Sequence, residues 1–246
     1  MARRTTLVQL LTDLRAETRA SLNPAHNTQV RDTHINLLQR TQERLWDDFT
    51  WPHLRVERQI EVQAGQRYYD TPEDLDIDRI ERLDLFTDGY WMPLAPGIDG
   101  CALSAYNSDL GERSYPLRRW RIAEGQDDDY DLAQVELWPI ADRNADATTR
   151  DGYLKFTGIR KLQPLTDDNH RADLDDRLIV LYAAAELLGA SGAKDATLKL
   201  DAANRLYARL RSGLTPSRRF RMFGVGDRTL RRSHPRMITN YRPAGS

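Results

Sequence analysis

The hydrophobic period of this chain changes twice along its length, and no other feature restricts its fold as much. Over Thr5 to Leu22, the residues Leu7, Leu10, Leu11, Leu14 and Thr18 recur at helical spacing. Asn23-Pro24 ends that helix, because the residue before a proline is pushed out of helical geometry. A second helix is expected from Asn27 or Thr28 to Asp48, with Val30, His34, Leu37, Leu38, Thr41, Leu45 and Phe49 on one face. Trp51-Pro52 stops it. The period then drops to two. Leu54, Val56, Arg58, Ile60 and Val62 alternate with Arg55, Glu57, Gln59 and Glu61. Ala64-Gly65-Gln66 reads as a turn, and Arg67-Tyr68-Tyr69 as the returning strand of a hairpin. Further strands are expected over Asp78 to Phe86, Leu117 to Ala123, Gln134 to Trp138 and Tyr153 to Ile159, with a short helix within Ile98 to Leu110. Helical spacing resumes from Asp168 to Ala190. There Leu174, Leu178, Leu181, Ala185 and Leu188 form the buried face, and Asp173, Asp175 and Asp176 suit the positive end. Gly189-Ala190-Ser191-Gly192 breaks the helix. A fourth helix, Asp195 to Arg211, is expected to bury Leu198, Ala202, Leu206 and Leu210, with Gly213 at C′.

Neither helix pair can bury its apolar stripe alone, so the economical arrangement joins the two ends of the chain. The expected class is α+β: a four-helix bundle from residues 1–54 and 167–212, an inserted antiparallel β-rich domain over 55–166, and an extended basic arm over 213–246.

The arm holds Arg218, Arg219, Arg221, Arg228, Arg231, Arg232, Arg236 and Arg242 against one acid, Asp227, for a net +7. The 28 basic and 36 acidic residues before it leave −8, so the overall charge of −1 is a cancellation. Phe220, Met222, Phe223, Val225 and Leu230 are scattered among Gly, Pro and Arg with no period. Such a segment buries too little apolar surface to offset its ordering entropy, so it is expected to order against a partner. Arginine supplies 32 of the 36 basic residues, which suits bidentate pairing with carboxylates or phosphates and follows equally from a GC-rich genome.

Several function classes are disfavoured. Mean hydropathy is −0.67 and the longest apolar run, Leu178 to Ala185, is far short of a bilayer span, so no membrane association is expected. The basic N-terminus is followed by no apolar segment and reads as no signal peptide. Cys101 is the only cysteine, which rules out an internal disulfide. His26, His34, His53, His170 and His234 form no metal-binding spacing, and no nucleophile elbow or phosphate loop is present. Asp74, Asp76 and Asp78 match the start of a calcium loop, but Arg79 and Leu85 stand where its glycine and its bidentate glutamate belong. Asp127-Asp128-Asp129-Tyr130-Asp131 reads as a solvated anionic turn. No cofactor, metal or catalytic residue is expected.

A resemblance runs through these elements. Ile35-Asn36-Leu37-Leu38-Gln39-Arg40 is followed by Leu45-Trp46-Asp47-Asp48-Phe49-Thr50-Trp51-Pro52-His53-Leu54 and an alternating strand. Tyr69-Asp70-Thr71-Pro72 precedes another strand. Glu136-Leu137-Trp138-Pro139-Ile140-Ala141-Asp142 closes a third, and Leu162 to Asp168 leads into the Ala-rich Leu181 to Leu188. This order resembles the head-to-tail adaptor, or head completion, proteins of tailed bacteriophages, over about Leu7 to Arg211.

The resemblance implies a structural virion protein at the capsid–tail junction, assembled in the host cytoplasm. Its partners would be the portal protein, tail or neck proteins and further copies of itself in a ring, commonly of twelve. Genomic double-stranded DNA would pass through the lumen without specific binding. The arm would then dock on an acidic portal surface through Arg218, Arg219, Arg221, Arg228, Arg231, Arg232 and Arg236, with Phe220, Met222 and Phe223 as apolar anchors. Fully extended, it reaches on the order of 110 Å at ~3.3 Å per residue. A nucleic-acid-binding protein gripping phosphates with the same arm is the alternative, which the acidic body disfavours. A cell-wall hydrolase is a third class, and no carboxylate pair singles itself out for it.

Overall fold

The computed structural model describes residues 3–20, 28–123 and 133–215. In chain order its elements are α1 (Leu7–Glu17), α2 (Thr28–Asp48), β1 (Arg55–Glu61), β2 (Tyr68–Asp70), β3 (Leu75–Thr87), β4 (Tyr90–Pro93), β5 (Ala95–Pro96), α3 (Gly100–Ala105), β6 (Arg119–Ala123), β7 (Gln134–Trp138), β8 (Tyr153–Arg160), α4 (Asp176–Ala190) and α5 (Asp195–Leu214). Two four-stranded sheets run β1-β8-β3-β4 and β2-β7-β6-β5. They face each other across one core, where Leu83, Leu85, Leu154 and Phe156 of the first meet Tyr69, Trp120, Val135 and Leu137 of the second. A second core gathers the helices, and Leu54, Ile159 and Leu165 join it from beside the sheets.

The expected hairpin is corrected. β1 pairs antiparallel with β8 over seven residues, Arg55↔Ile159 to Glu61↔Tyr153, whereas β2 pairs with β7 in the other sheet. Alternation assigns a face to each strand and leaves its partner open. Here β8, buried along most of its length, takes the central place between β1 and β3. The chain crosses between sheets at Gly65 (φ 81°), whose N–H donates to the Ala141 carbonyl at 2.9 Å. The buried Tyr69 holds the crossing, its hydroxyl 3.1 Å from both the N and the O of Gln63.

The four-helix bundle is also corrected. α4 is apolar around its circumference, burying Leu178, Ile179, Val180, Leu181, Ala183 and Ala184. A helix of that kind is enclosed by its neighbours instead of lending one stripe to a shared seam. α1, α2 and α5 accordingly each pack on α4, and the architecture is α+β with two large sheets and a helical layer centred on α4. α5 buries only Ala203 and Leu210, with Leu206 and Tyr207 partly covered. The expected Ala202 is exposed, and Leu198 is 66% exposed. α5 also runs through Gly213 to Leu214, so Gly213 is not a C′ residue. α4 begins at Asp176, eight residues later than expected. Arg171 and Asp175 are bridged to Thr6 and Arg3, which removes the segment before Asp176 from helical geometry, and the Asp175 carboxylate caps Leu178 N at 3.1 Å.

Gly158 sits where β3 makes its register shift, paired with Ile80 on one side and Val56 on the other. A Cβ there would lie 2.7 Å from the Arg79 carbonyl oxygen and 3.1 Å from Ile80 Cα. Both are backbone atoms, so Gly158→Ala is expected to cost about 1–3 kcal/mol through overpacking, read as a lower denaturant midpoint. An unchanged midpoint would contradict this placement of β3.

Candidate partner-binding surface

Polar contacts fix the helical layer to the sheets. Asp173 pairs with Arg160, accepts from Gln163 N at 2.8 Å, and donates its own N–H to Gln42 Oε1 at 3.1 Å. Arg79 of β3 stacks 3.6 Å over the Trp46 ring and donates to the Trp46 carbonyl at 2.8 Å. In the second sheet, Glu136 is fully buried and held by Arg67 Nε at 2.7 Å and Arg121 Nε at 2.5 Å, the double pairing a buried carboxylate requires. Asp74, first of the calcium-like acids, is instead held by Arg58, and this contact lowers its pKa.

His34 lies buried in α2, and burial together with the charge of Arg15 pushes its pKa below 6.5. The folded protein therefore takes up a proton at His34 less readily than the unfolded chain, which binds one as pH falls through its ordinary 6.5. Stability is expected to decline from pH 7.5 to 5.5, and His34→Leu to flatten part of that decline. Urea midpoints across the range check it, and a midpoint rising toward pH 5.5 would contradict it.

The helical hairpin of α4 and α5 borders two surface depressions. α4 stops at Ser191-Gly192, where Gly192 takes φ 69° and the Ala193 N–H caps the Leu188 carbonyl at 2.9 Å. α5 then returns alongside it. One side of the hairpin is a groove of about 320 Å³ lined by Arg177, Leu181, Ala202, Arg205, Leu206 and Arg209. All three arginines are exposed. None of them makes an ion pair or hydrogen bond among the described residues. Arg205 and Arg209 are like charges at i, i+4, an unfavourable spacing on an isolated helix. Arg177 sits in the first turn of α4, where the helix dipole opposes a cation. The three guanidinium groups give this groove a basic rim, with Asp201 four residues before Arg205 on the same helix. A second depression, about 270 Å³, is lined by Tyr182 and Glu186 of α4, Leu200 of α5 and Arg44 of α2.

The sequence-predicted docking residues, Arg218, Arg219, Phe220, Arg221, Met222, Phe223, Arg228, Arg231, Arg232 and Arg236, all lie outside the described residues, as do Asp127 to Asp131. Within the described residues, Arg177, Arg205 and Arg209 line the groove of α4 and α5. Sequence reading missed them, although the Arg205–Arg209 spacing was a visible signal.

The described elements run as two helices, a β region holding the short α3, and two further helices. The family model for SU10 adaptor protein matches residues 5–233, nearly the whole chain. The chain belongs to the SU10 adaptor protein family. It is a structural adaptor of the phage head-to-tail junction. Among curated proteins nothing matches it. For an SU10 adaptor the working parts are surfaces, and the described helices include none long and apolar enough to cross a membrane.

Proposed function

We propose that this SU10 adaptor closes into a ring, commonly of twelve copies, that seats under the portal, extends the DNA channel and receives the tail. Family membership over residues 5–233 supports the adaptor role. The charge division carries the finer reading. A +7 arm follows a −8 body, so the arm suits an acidic protein surface while repeated acidic bodies give DNA a non-adhesive wall. Ring closure needs a head-to-tail interface joining two different patches. Arg218, Arg219, Arg221, Arg228, Arg231, Arg232 and Arg236 dock on the portal, and Phe220, Met222 and Phe223 anchor the contact. Residues 1–54, 55–166 and 167–212 serve as the body, and the ring belongs to the virion after assembly in the host cytoplasm.

The arm's eight arginines also favour one rival, a phosphate-gripping nucleic-acid binder. Co-sedimentation with cognate portal rings, run beside filter binding to duplex DNA, separates the two. The adaptor reading expects a portal complex and no DNA retention at moderate salt. DNA retention without portal binding, with affinity falling at a log–log salt slope near −6 for about seven phosphate contacts, would replace it with the rival.

A further inference from the structure

Among the described residues, both outer strands of the sheet β1-β8-β3-β4 have one free edge: β1 pairs with β8 alone and β4 with β3 alone. Hydrogen bonding alternates along an antiparallel pair, so one bond fixes which residues face outward. Val62 N–H donates to the Gly152 carbonyl at 2.9 Å, in register with the pairing of β1 and β8. Val56, Arg58 and Ile60 therefore face β8, and Glu57, Gln59 and Glu61 turn their backbone groups to the free edge. Leu94 N–H donates to the Leu83 carbonyl at 2.8 Å, so Met92 faces β3 while Trp91 and Pro93 face the free edge of β4. Direction alternates across the four strands, so β1 and β4 run opposite ways. We propose that β1 of one subunit pairs antiparallel with β4 of the neighbouring subunit, Gln59 opposite Trp91, as a head-to-tail contact that carries the sheet from copy to copy around the ring.

The contact rests on the ring reading above and supplies the two different patches that a closing ring needs. A free edge is a template for a further strand, and this register satisfies the groups it brings together. Gln59 and Trp91 exchange two backbone hydrogen bonds, and Glu57 N–H donates to the Pro93 carbonyl. Pro93 has no N–H to return, but the Glu57 carbonyl opposite it already accepts from Arg58 Nη1 at 3.0 Å. On the inner face, Tyr90, 51% exposed in the single subunit, comes opposite the half-buried Ile60, a favourable aromatic–β-branched pair. Two β1 edges suit each other less. Centred on Gln59, such a pair sets Glu57 opposite Glu61 twice, and directly opposed like charges destabilise a sheet.

Gln59→Pro tests the edge directly. It removes the N–H that faces outward and crowds an incoming strand, while the ladder between β1 and β8 keeps its bonds. Its urea midpoint should stay close to wild type. Its ring completion on cognate portal rings, read by native mass, should weaken on the order of tenfold or more, the equivalent of two lost hydrogen bonds. Disulfide trapping reads the same contact without relying on that variant. In a Cys101→Ser background, the exposed pair Glu57→Cys and Pro93→Cys in one chain should link successive copies into a reducible covalent series, because opposed residues lie about 5.5 Å apart. Within one subunit the two positions lie at opposite edges of the sheet, at least about 14 Å apart at about 4.8 Å per strand, too far for a bridge. A mixture of the two single variants should give dimers only. Undiminished ring assembly by Gln59→Pro, or intact assemblies that do not cross-link, would overturn the contact. So would dimers formed by Glu57→Cys alone, which assign β1 to a second β1. A wild-type chain that forms no closed set on the portal removes the ring reading and the contact with it, whereas a closed wild-type set without these links removes the contact alone.

Discussion

Deleting residues 216–246 is expected to abolish portal docking while leaving the body folded. The cut falls after α5, which ends at Leu214, and keeps every described residue of the two cores. It removes all eight arm arginines and leaves a body of charge −8. Seven net positive charges and three apolar anchors leave together, so the loss should exceed tenfold in affinity and approach background in co-sedimentation. Unfolding of the shortened chain should keep the midpoint of the full chain, because the described core residues are all retained. Undiminished portal binding by residues 1–215 would transfer docking to the body. A lowered midpoint would show that the arm also stabilises its own subunit.

Trp51→Ala is expected to destabilise the body by about 3–5 kcal/mol, the range for truncating a large buried aromatic. Trp51 is fully buried where α2 hands the chain to β1. Its indole N–H donates to the Leu45 carbonyl at 2.8 Å and so satisfies one of the last acceptors of α2. Its ring meets Phe49 edge-on at 5.2 Å and Tyr207 of α5 at 6.4 Å. The substitution leaves a cavity at the point where two helices and a strand converge. Trp51→Phe keeps much of the volume and should lose markedly less. Chemical denaturation of both variants gives the measurement, and a cost below about 1 kcal/mol for Trp51→Ala would contradict this junction. Weakening there should also lower docking indirectly, so docking assays on this variant belong at temperatures where it remains folded.

Much of the secondary structure was legible because local periodicity reports which side of an element is buried. α2 spans Thr28–Asp48, and β7 spans Gln134–Trp138, both as the periodicity indicated. Pairing was not legible. Arg67-Tyr68-Tyr69 looked like a hairpin strand because the turn Ala64-Gly65-Gln66 precedes it, yet the partner with more apolar surface, β8, took the edge of β1. The hairpin of β3 and β4 turns at Asp88 (φ 50°) and Gly89 (φ 82°), a strong turn pair whose following strand, Tyr90–Pro93, has too little alternation to announce itself. The bundle failed for a similar reason. A stripe of leucines on α4 was read as one face, whereas the intervening Ile179, Val180, Ala183 and Ala184 bury the other sides as well. The candidate surface was legible only in charge. The arm's arginines are adjacent in sequence, but Arg177 meets Arg205 and Arg209 only because the helical hairpin folds back on itself.

The adaptor account turns on whether portal and arm together produce a ring. Native mass of the full-length chain alone and with cognate portal rings decides it. The account expects a single closed multiple of the 28.4 kDa chain on each portal ring, and no such multiple when residues 216–246 are absent. A chain that ignores the portal, or that binds it in variable numbers with or without the arm, would contradict the account.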